Sequence, residues 1–204
     1  MLFKRIILFL TALICLVSFS GCTADAPRPA ADTPDVSSSQ THLAVLNVGK
    51  ADCMLLFVQD KTYLIDTGWE RTFGTLQEAL RQYNVKKLDG VILTHCHKDH
   101  EGGLMRLAKG NMPVDAWYAS SIYYDVKEGQ HPLVLAAAER NESVTFLNAG
   151  DEIRISDTAF MRVLGPISVN TENENNNSLV LYVETPDGTL LLAADMKQEE
   201  ENPP

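Results

Sequence analysis

Thr94-His95-Cys96-His97-Lys98-Asp99-His100-Glu101-Gly102-Gly103 gathers three of the chain's five histidines, with an aspartate, into the six residues from His95 to His100. The stretch follows the apolar run Val91-Ile92-Leu93 and leads into a Gly-Gly pair. Neutral imidazole nitrogen and carboxylate oxygen are the usual donors to Zn²⁺ and other first-row divalent ions. The cluster therefore reads as a metal site, against the plain alternative of a polar turn that happens to carry histidines.

Outward from it, the chain divides into short elements. Upstream, residues 43–48 are strand-like, 49–52 turn, 53–58 are a second apolar run, and Asp60-Lys61 turns into a third strand, 62–65, which ends at Asp66-Thr67-Gly68. Leu76, Ala79, Leu80 and Tyr83 recur at i, i+3, i+4 and i+7, which predicts a helix with one buried face. Residues 88–94 are mostly apolar, as expected for a strand in the middle of a sheet covered on both sides, and the histidines leave its C-terminal end.

Downstream, residues 101–109 predict a short helix, 114–119 a strand and 120–130 a polar loop. Pro132 suits the first turn of a helix running to about Asn141. Trp117, Tyr118, Tyr123 and Tyr124 read as packing at the core or its rim rather than as a substrate wall. Three short strands follow at 143–147, 152–155 and 159–164, then a polar loop at 171–177 and a strand at 178–184. Pro186-Asp187-Gly188 makes a tight turn into the apolar strand 189–194, which stops at Asp195.

The chain has 204 residues, 45% hydrophobic and 22% charged, which suits one compact domain plus tails. Residues 1–21 read as an export signal: Lys4-Arg5 supply the positive end and residues 6–17 an apolar stretch too short for a comfortable membrane span. The ending Phe19-Ser20-Gly21-Cys22 resembles a bacterial lipoprotein signal, with Cys22 lipidated; an ordinary cleaved signal or a retained anchor is the alternative. Either way the folded part is expected outside the cytoplasm, at the outer face of the membrane or the cell surface. Residues 22–41 are rich in Ala, Pro, Ser, Asp and Thr, and read as a flexible tether. Residues 196–204 form an acidic tail.

Without residues 1–21 the 17 bases fall to 15 while all 27 acids stay, a net charge of −12. Such a balance weighs against tight non-specific nucleic-acid binding, although a local basic patch would escape the average. Past Cys22 only Cys53 and Cys96 remain, and they read as two separate thiols rather than a bridge.

His95-x-His97-x-Asp99-His100, set after a strand and preceded by Asp66-Thr67-Gly68, resembles the metallo-β-lactamase superfamily. The resemblance implies an α/β fold, an αββα sandwich with one or two divalent ions at its edge, Zn or Mn. Within that group the chain is similar to the hydrolase-like domain of competence proteins of the ComEC kind and their free-standing exported relatives. Asn47-Val48-Gly49-Lys50-Ala51-Asp52-Cys53, Tyr63-Leu64-Ile65-Asp66-Thr67-Gly68, Asn176-Asn177-Ser178-Leu179-Val180-Leu181 and Leu190-Leu191-Leu192-Ala193-Ala194-Asp195 carry the likeness, over residues 43–195.

Carried over by position, the resemblance implies that His95 and His97 hold a first ion, Asp99 and His100 a second, and Asp195 bridges the two. Asp66 would accept a bond that orients the ligand loop, with Asp52 in a similar role or a plain turn. Asp99 would also orient the attacking water. Two ions roughly 3.5–4 Å apart lower the pKa of a shared water and polarise a phosphoryl or carbonyl oxygen. Hydrolysis of a small-molecule or phosphodiester substrate is the implied reaction.

Two features depart from the family pattern. Where many members place a third histidine on the first ion, this chain has Asn175-Asn176-Asn177-Ser178, so Asn176 or Asn177, or water, would have to substitute. The relatives also continue past the bridging aspartate through a block that supplies a last histidine, so residues 42–195 are expected to form an incomplete sandwich lacking its last strand-helix block. A second reading follows: a truncated, weak or inactive surface lipoprotein that binds metal or a partner.

Overall fold

The computed structural model describes residues 40–124 and 126–197. Residues 1–39, with the export signal, Cys22 and most of the tether, lie outside the described residues, as do 198–204 of the acidic tail. Among the described residues, no helix is long and apolar enough to cross a membrane.

Strands β1 (His42–Val45), β2 (Met54–Val58) and β3 (Lys61–Ile65) form an antiparallel meander. From β3 the sheet continues in parallel through β4 (Gly90–Leu93), β5 (Trp117–Ser120) and β6 (Val144–Leu147), in the order β1-β2-β3-β4-β5-β6. The parallel part needs crossovers, and α1 (Phe73–Gln82), α3 (Leu104–Ala108) and α4 (Pro132–Glu139) supply them. A second, antiparallel sheet of β7 (Glu152–Arg154), β8 (Phe160–Gly165), β9 (Val180–Thr185) and β10 (Gly188–Leu192) has the order β10-β9-β8-β7.

Alternation along the central strands builds two cores. Leu55 and Phe57 of β2 and Val91 and Leu93 of β4 pack with Leu76, Leu80, Leu104 and Leu133 of the helices. Their neighbours Leu56, Val58 and Ile92 point the other way, into a core shared with Met161, Val163, Leu181 and Val183 of the second sheet. Every residue of β4 is buried for this reason. Helix, first sheet and second sheet are three layers of the αββα sandwich, and among the described residues no helix packs on the outward face of the second sheet. The outward face of the second sheet exposes Leu164 and Leu191.

Several elements differ from the sequence reading. The helix expected at 101–109 is two pieces, because α2 (Lys98–Glu101) starts inside the histidine stretch and α3 begins only after Gly102-Gly103. The His97 carbonyl accepts the His100 and Glu101 N–H groups and starts the turn there. The polar loop 171–177 contains a 3-10 turn, Glu174–Asn177, and the last strand ends at Leu192, with Ala194 at a positive φ of 49° just before Asp195. Cys53 and Cys96 are free thiols.

The Gly-Gly pair fixes where α2 sits. A Cβ on Gly102 would lie 2.5 Å from the Glu70 nitrogen and 2.8 Å from the Gly68 oxygen, both backbone atoms that cannot swing away. Gly102→Ala should therefore destabilise the protein by about 1–3 kcal/mol. Gly74→Ala, where nothing lies within 4 Å, should leave it unchanged or more stable by up to about 1 kcal/mol. Denaturant unfolding of the two variants checks the contrast, and equal effects would refute it.

Candidate metal centre

Asp66 ends β3 at a positive φ of 56°, a conformation aspartate tolerates better than most residues. Its backbone N–H donates to the Ile92 carbonyl at 2.9 Å, so the turn is stitched to β4. The carboxylate is fully buried. It accepts the Thr94 N–H at 2.8 Å on one oxygen, and on the other the Thr94 hydroxyl at 2.7 Å and His100 Nδ1 at 2.8 Å. Thr67 completes the clamp: its N–H and hydroxyl both donate to the His100 carbonyl, at 2.7 and 2.9 Å, and its oxygen accepts the Gly103 N–H.

These bonds dictate which ring nitrogens remain free. With Nδ1–H given to Asp66, His100 turns Nε2 towards Asp195, 3.6 Å from its carboxylate. The Thr94 hydroxyl donates to Asp66, so it accepts from His95 Nδ1, 3.3 Å away, which leaves His95 Nε2 bare. That nitrogen faces His97 Nδ1 at 2.9 Å. His95, His100 and Asp195 offer donor atoms within 4.8 Å of one another, and so do Asp52, Asp66 and His100. Asp99 belongs to neither group; it sits on α2, half-buried, and its carbonyl accepts the Asp52 N–H at 3.3 Å.

Burial, together with the neighbouring His100 and His97, pushes His95 down to about 3, so its imidazole is neutral across the physiological range. For His100 burial again works against the charge, but the bond to Asp66 and the carboxylates of Asp66, Asp195 and Asp52 outweigh it and raise the imidazole to about 9. Burial, partly offset by His100, also raises Asp52. Cys96, between the two histidines, lies 3.5 Å from His131 Nε2; burial holds that thiol up at about 12 and His131 down at about 4, so the pair is a neutral contact.

The asparagine run divides by position. Asn176 Oδ1 accepts the Lys197 N–H, and Asn177 uses its oxygen on Asn170 N–H and its amide on the Asn170 carbonyl and Glu174. Both are therefore occupied in holding the turn, while the Asn175 side chain lies beside His95. Reading the sequence missed Asn175 as a candidate, and with it Thr94, Thr67 and Glu174. Thr94 was findable, because a hydroxyl directly before the first histidine lies within reach of an aspartate that ends the adjoining strand.

A divalent cation fits this donor set. Two imidazole nitrogens converge within 2.9 Å of each other, a carboxylate stands across from them, and Asn175 Oδ1 is buried beside His95 with no well-formed hydrogen bond. His95, His97, His100 and Asp195 are the residues that would hold it.

A family model, described as Metallo-beta-lactamase superfamily, matches residues 46–204. The chain belongs to the metallo-β-lactamase superfamily. ComE operon protein 3 of Bacillus subtilis is 26% identical over 182 residues, 80% of this chain and 23% of that protein. A probable metallo-hydrolase of Methanocaldococcus jannaschii is 44% identical over 45 residues, 22% of each chain. The chain thus spans under a quarter of the length of these relatives. Among solved structures, the metallo-beta-lactamase fold protein YhfI of Bacillus subtilis aligns with a TM-score of 0.50 at 17% identity, over 76% of this chain and 62% of that one. CmlA, a diiron beta-hydroxylase from Streptomyces venezuelae, aligns with 0.51 at 14% identity, over 76% and 29%. These likenesses are of fold, and the superfamily is one of metal-dependent hydrolases.

Two predictions follow from the network. Asp66→Asn replaces an acceptor of three bonds by a group that carries two donors of its own, so it should cost about 1–3 kcal/mol in unfolding free energy and weaken metal binding roughly 10–100-fold. Denaturation and metal titration of the variant measure both, and wild-type values would contradict the assignment. Secondly, His100 is raised from 6.5 to about 9 in the metal-free fold, so its contribution to stability is complete below about pH 6.5 and is lost as pH rises to about 9. Metal-free protein should lose stability over that window, whereas saturating divalent metal should reverse the trend because the bound imidazole must be unprotonated. Unfolding curves at several pH values, with and without metal, test the sign.

Proposed function

We propose that this protein is an exported metal-dependent phosphodiester hydrolase with a binuclear centre at His95, His97, His100 and Asp195, and with Asp99 beside it on α2. The observation that carries the substrate class is a groove of about 660 Å³ beside the ligand helix, lined by Arg71, Lys98, Arg106 and Lys109 against only Glu70 and Glu101. In a chain with 27 acids and 17 bases this is a local reversal of charge. Lys98 pairs with Glu101, but among the described residues Arg71, Arg106 and Lys109 form no ion pair; Arg71 lies over the Trp69 ring at 4.5 Å and Arg106 over Phe73 at 5.0 Å. Guanidinium groups stacked on aromatic faces keep their edge donors free for phosphate oxygens. The groove reaches the ligand helix through Lys98, Glu101 and Gly102, and Lys98 directly follows His97 in the chain.

Divalent ions in such a centre supply Lewis acidity, polarising a phosphoryl oxygen and making water acidic enough to attack near neutral pH. The chain's own residues do the rest. His95 Nε2 and His97 Nδ1 stand side by side at 2.9 Å, and Asp66 holds His100 so that Nε2 faces Asp195. In this reading Asp99, half-exposed on α2, would orient the water, and the groove cations would bind the flanking phosphate. Zn or Mn suits the mixed imidazole and carboxylate donors. The relative named ComE operon protein 3 supports the family placement, while the substrate reading rests on the groove. Export and anchoring through Cys22 belong to the same proposal and rest on the sequence of residues 1–22 alone.

The test is hydrolysis of an activated phosphodiester, with added Mn²⁺ or Zn²⁺, by wild type, His97→Ala and Arg71→Glu/Arg106→Glu. His97→Ala should lose at least about a hundredfold in kcat/KM. The charge reversal should raise KM with little change in kcat, since the groove binds ground state and transition state alike. Metal-independent turnover, or equal turnover by His97→Ala, would overturn the reading.

A further inference from the structure

Among the described residues, four buried side-chain nitrogen or oxygen atoms make no well-formed hydrogen bond, and three of them lie on one stretch: Glu174 Oε1, Asn175 Oδ1 and Ser178 Oγ. Buried polar atoms are paired as a rule, so a cluster of exceptions asks for a cause. Weak folding of the segment is not that cause. Asn173 Oδ1 accepts the Asn175 N–H at 3.3 Å, Glu174 Oε2 accepts the Tyr124 N–H at 2.7 Å and the Asn177 amide at 2.8 Å, and the Leu179 N–H donates to the Thr94 carbonyl at 2.9 Å. The last bond ties the turn to the residue before His95. The segment is held firmly, and it is held against the ligand stretch with acceptors unfilled.

Ser178 Oγ can donate as well as accept, but the other two are one-sided. Asn175 Oδ1 and Glu174 Oε1 are acceptors, which a cation satisfies and a bare apolar wall does not. Of the two, Asn175 meets only the His95 imidazole, itself a proposed ligand, whereas the Glu174 carboxylate has the Cys96 N–H to accept and braces the turn through Oε2. Asn176 and Asn177 are excluded because their amides are already bonded within the segment and to Lys197.

We propose that Asn175 Oδ1 is the third protein donor to an ion held by His95 and His97, so that this position carries two imidazoles and an amide oxygen. The inference rests on the metal-centre reading above and deepens it. An amide oxygen is a harder donor than imidazole, so the position should favour Mn²⁺ over Zn²⁺ more than a three-imidazole site would.

The test uses the full chain as wild type, Asn175→Leu, Asn175→His and Glu174→Gln, with Mn²⁺, Zn²⁺ and Co²⁺ titrated into metal-free protein. Binding is followed by calorimetry and by the Co²⁺ absorption spectrum, neither of which depends on activity. Asn175→Leu should lose at least tenfold in affinity for one ion while its metal-free form unfolds at the wild-type midpoint. Asn175→His should shift the ratio of Zn²⁺ to Mn²⁺ affinity at least tenfold towards Zn²⁺ and change the Co²⁺ spectrum, which serves even if the leucine variant folds poorly. Wild-type affinities and spectra in both Asn175 variants, or loss of the ion in Glu174→Gln alone, would overturn the assignment. Wild-type protein that binds none of the three ions would instead overturn the metal centre itself.

Discussion

The buried Asp66 carboxylate and the three donors it collects are the constraint on which the rest of the structure depends. One charge with no exposure to solvent is tolerable only if its oxygens are fully engaged, and Thr94 and His100 engage them. The same bonds join the ends of β3 and β4, set the position of α2 and select the ring nitrogen that His100 and, through Thr94, His95 leave free. Stability and ligand geometry are therefore written by the same atoms. A change at Asp66 cannot alter one without altering the other.

The sandwich delivers the remaining pieces to that point. Parallel β3 and β4 end side by side, so the turn after one and the histidine stretch after the other meet by topology. The second sheet brings Asp195 from the end of β10 and the asparagine turn from the connection before β9. Donors from four separate segments thus converge at one edge of the two-sheet core. The cationic groove on the helical side adds what the fold alone does not supply, a reason to expect an anionic ligand in an acidic protein.

The elements were legible in the sequence because their signals are local: alternation in β2, the i, i+3, i+4 spacing in α1, and proline at the start of α4. The ligand stretch was legible for the same reason, three histidines within six residues. What escaped depends on distant contacts. α2 begins at Lys98 rather than at Glu101, and Gly102 docks on the backbone of Gly68 and Glu70, more than thirty residues upstream. The choice among three identical asparagines was invisible, since a 3-10 turn sends successive side chains in different directions and only its phase decides which one meets His95. Ala194, an ordinary strand residue by type, takes a positive φ that ends the last strand early and turns Asp195 towards His100.

The central claim is that His95, His97, His100 and Asp195 form a metal centre whose geometry Asp66 sets. Anomalous scattering from crystals grown with Mn²⁺ or Zn²⁺ tests it most directly. The account predicts an anomalous peak within coordination distance of His95 Nε2 and His97 Nδ1, and a second beside His100 Nε2, with Asp195 between them. Crystals with metal in the solution but no peak at these atoms, or ions bound only elsewhere on the surface, would contradict it.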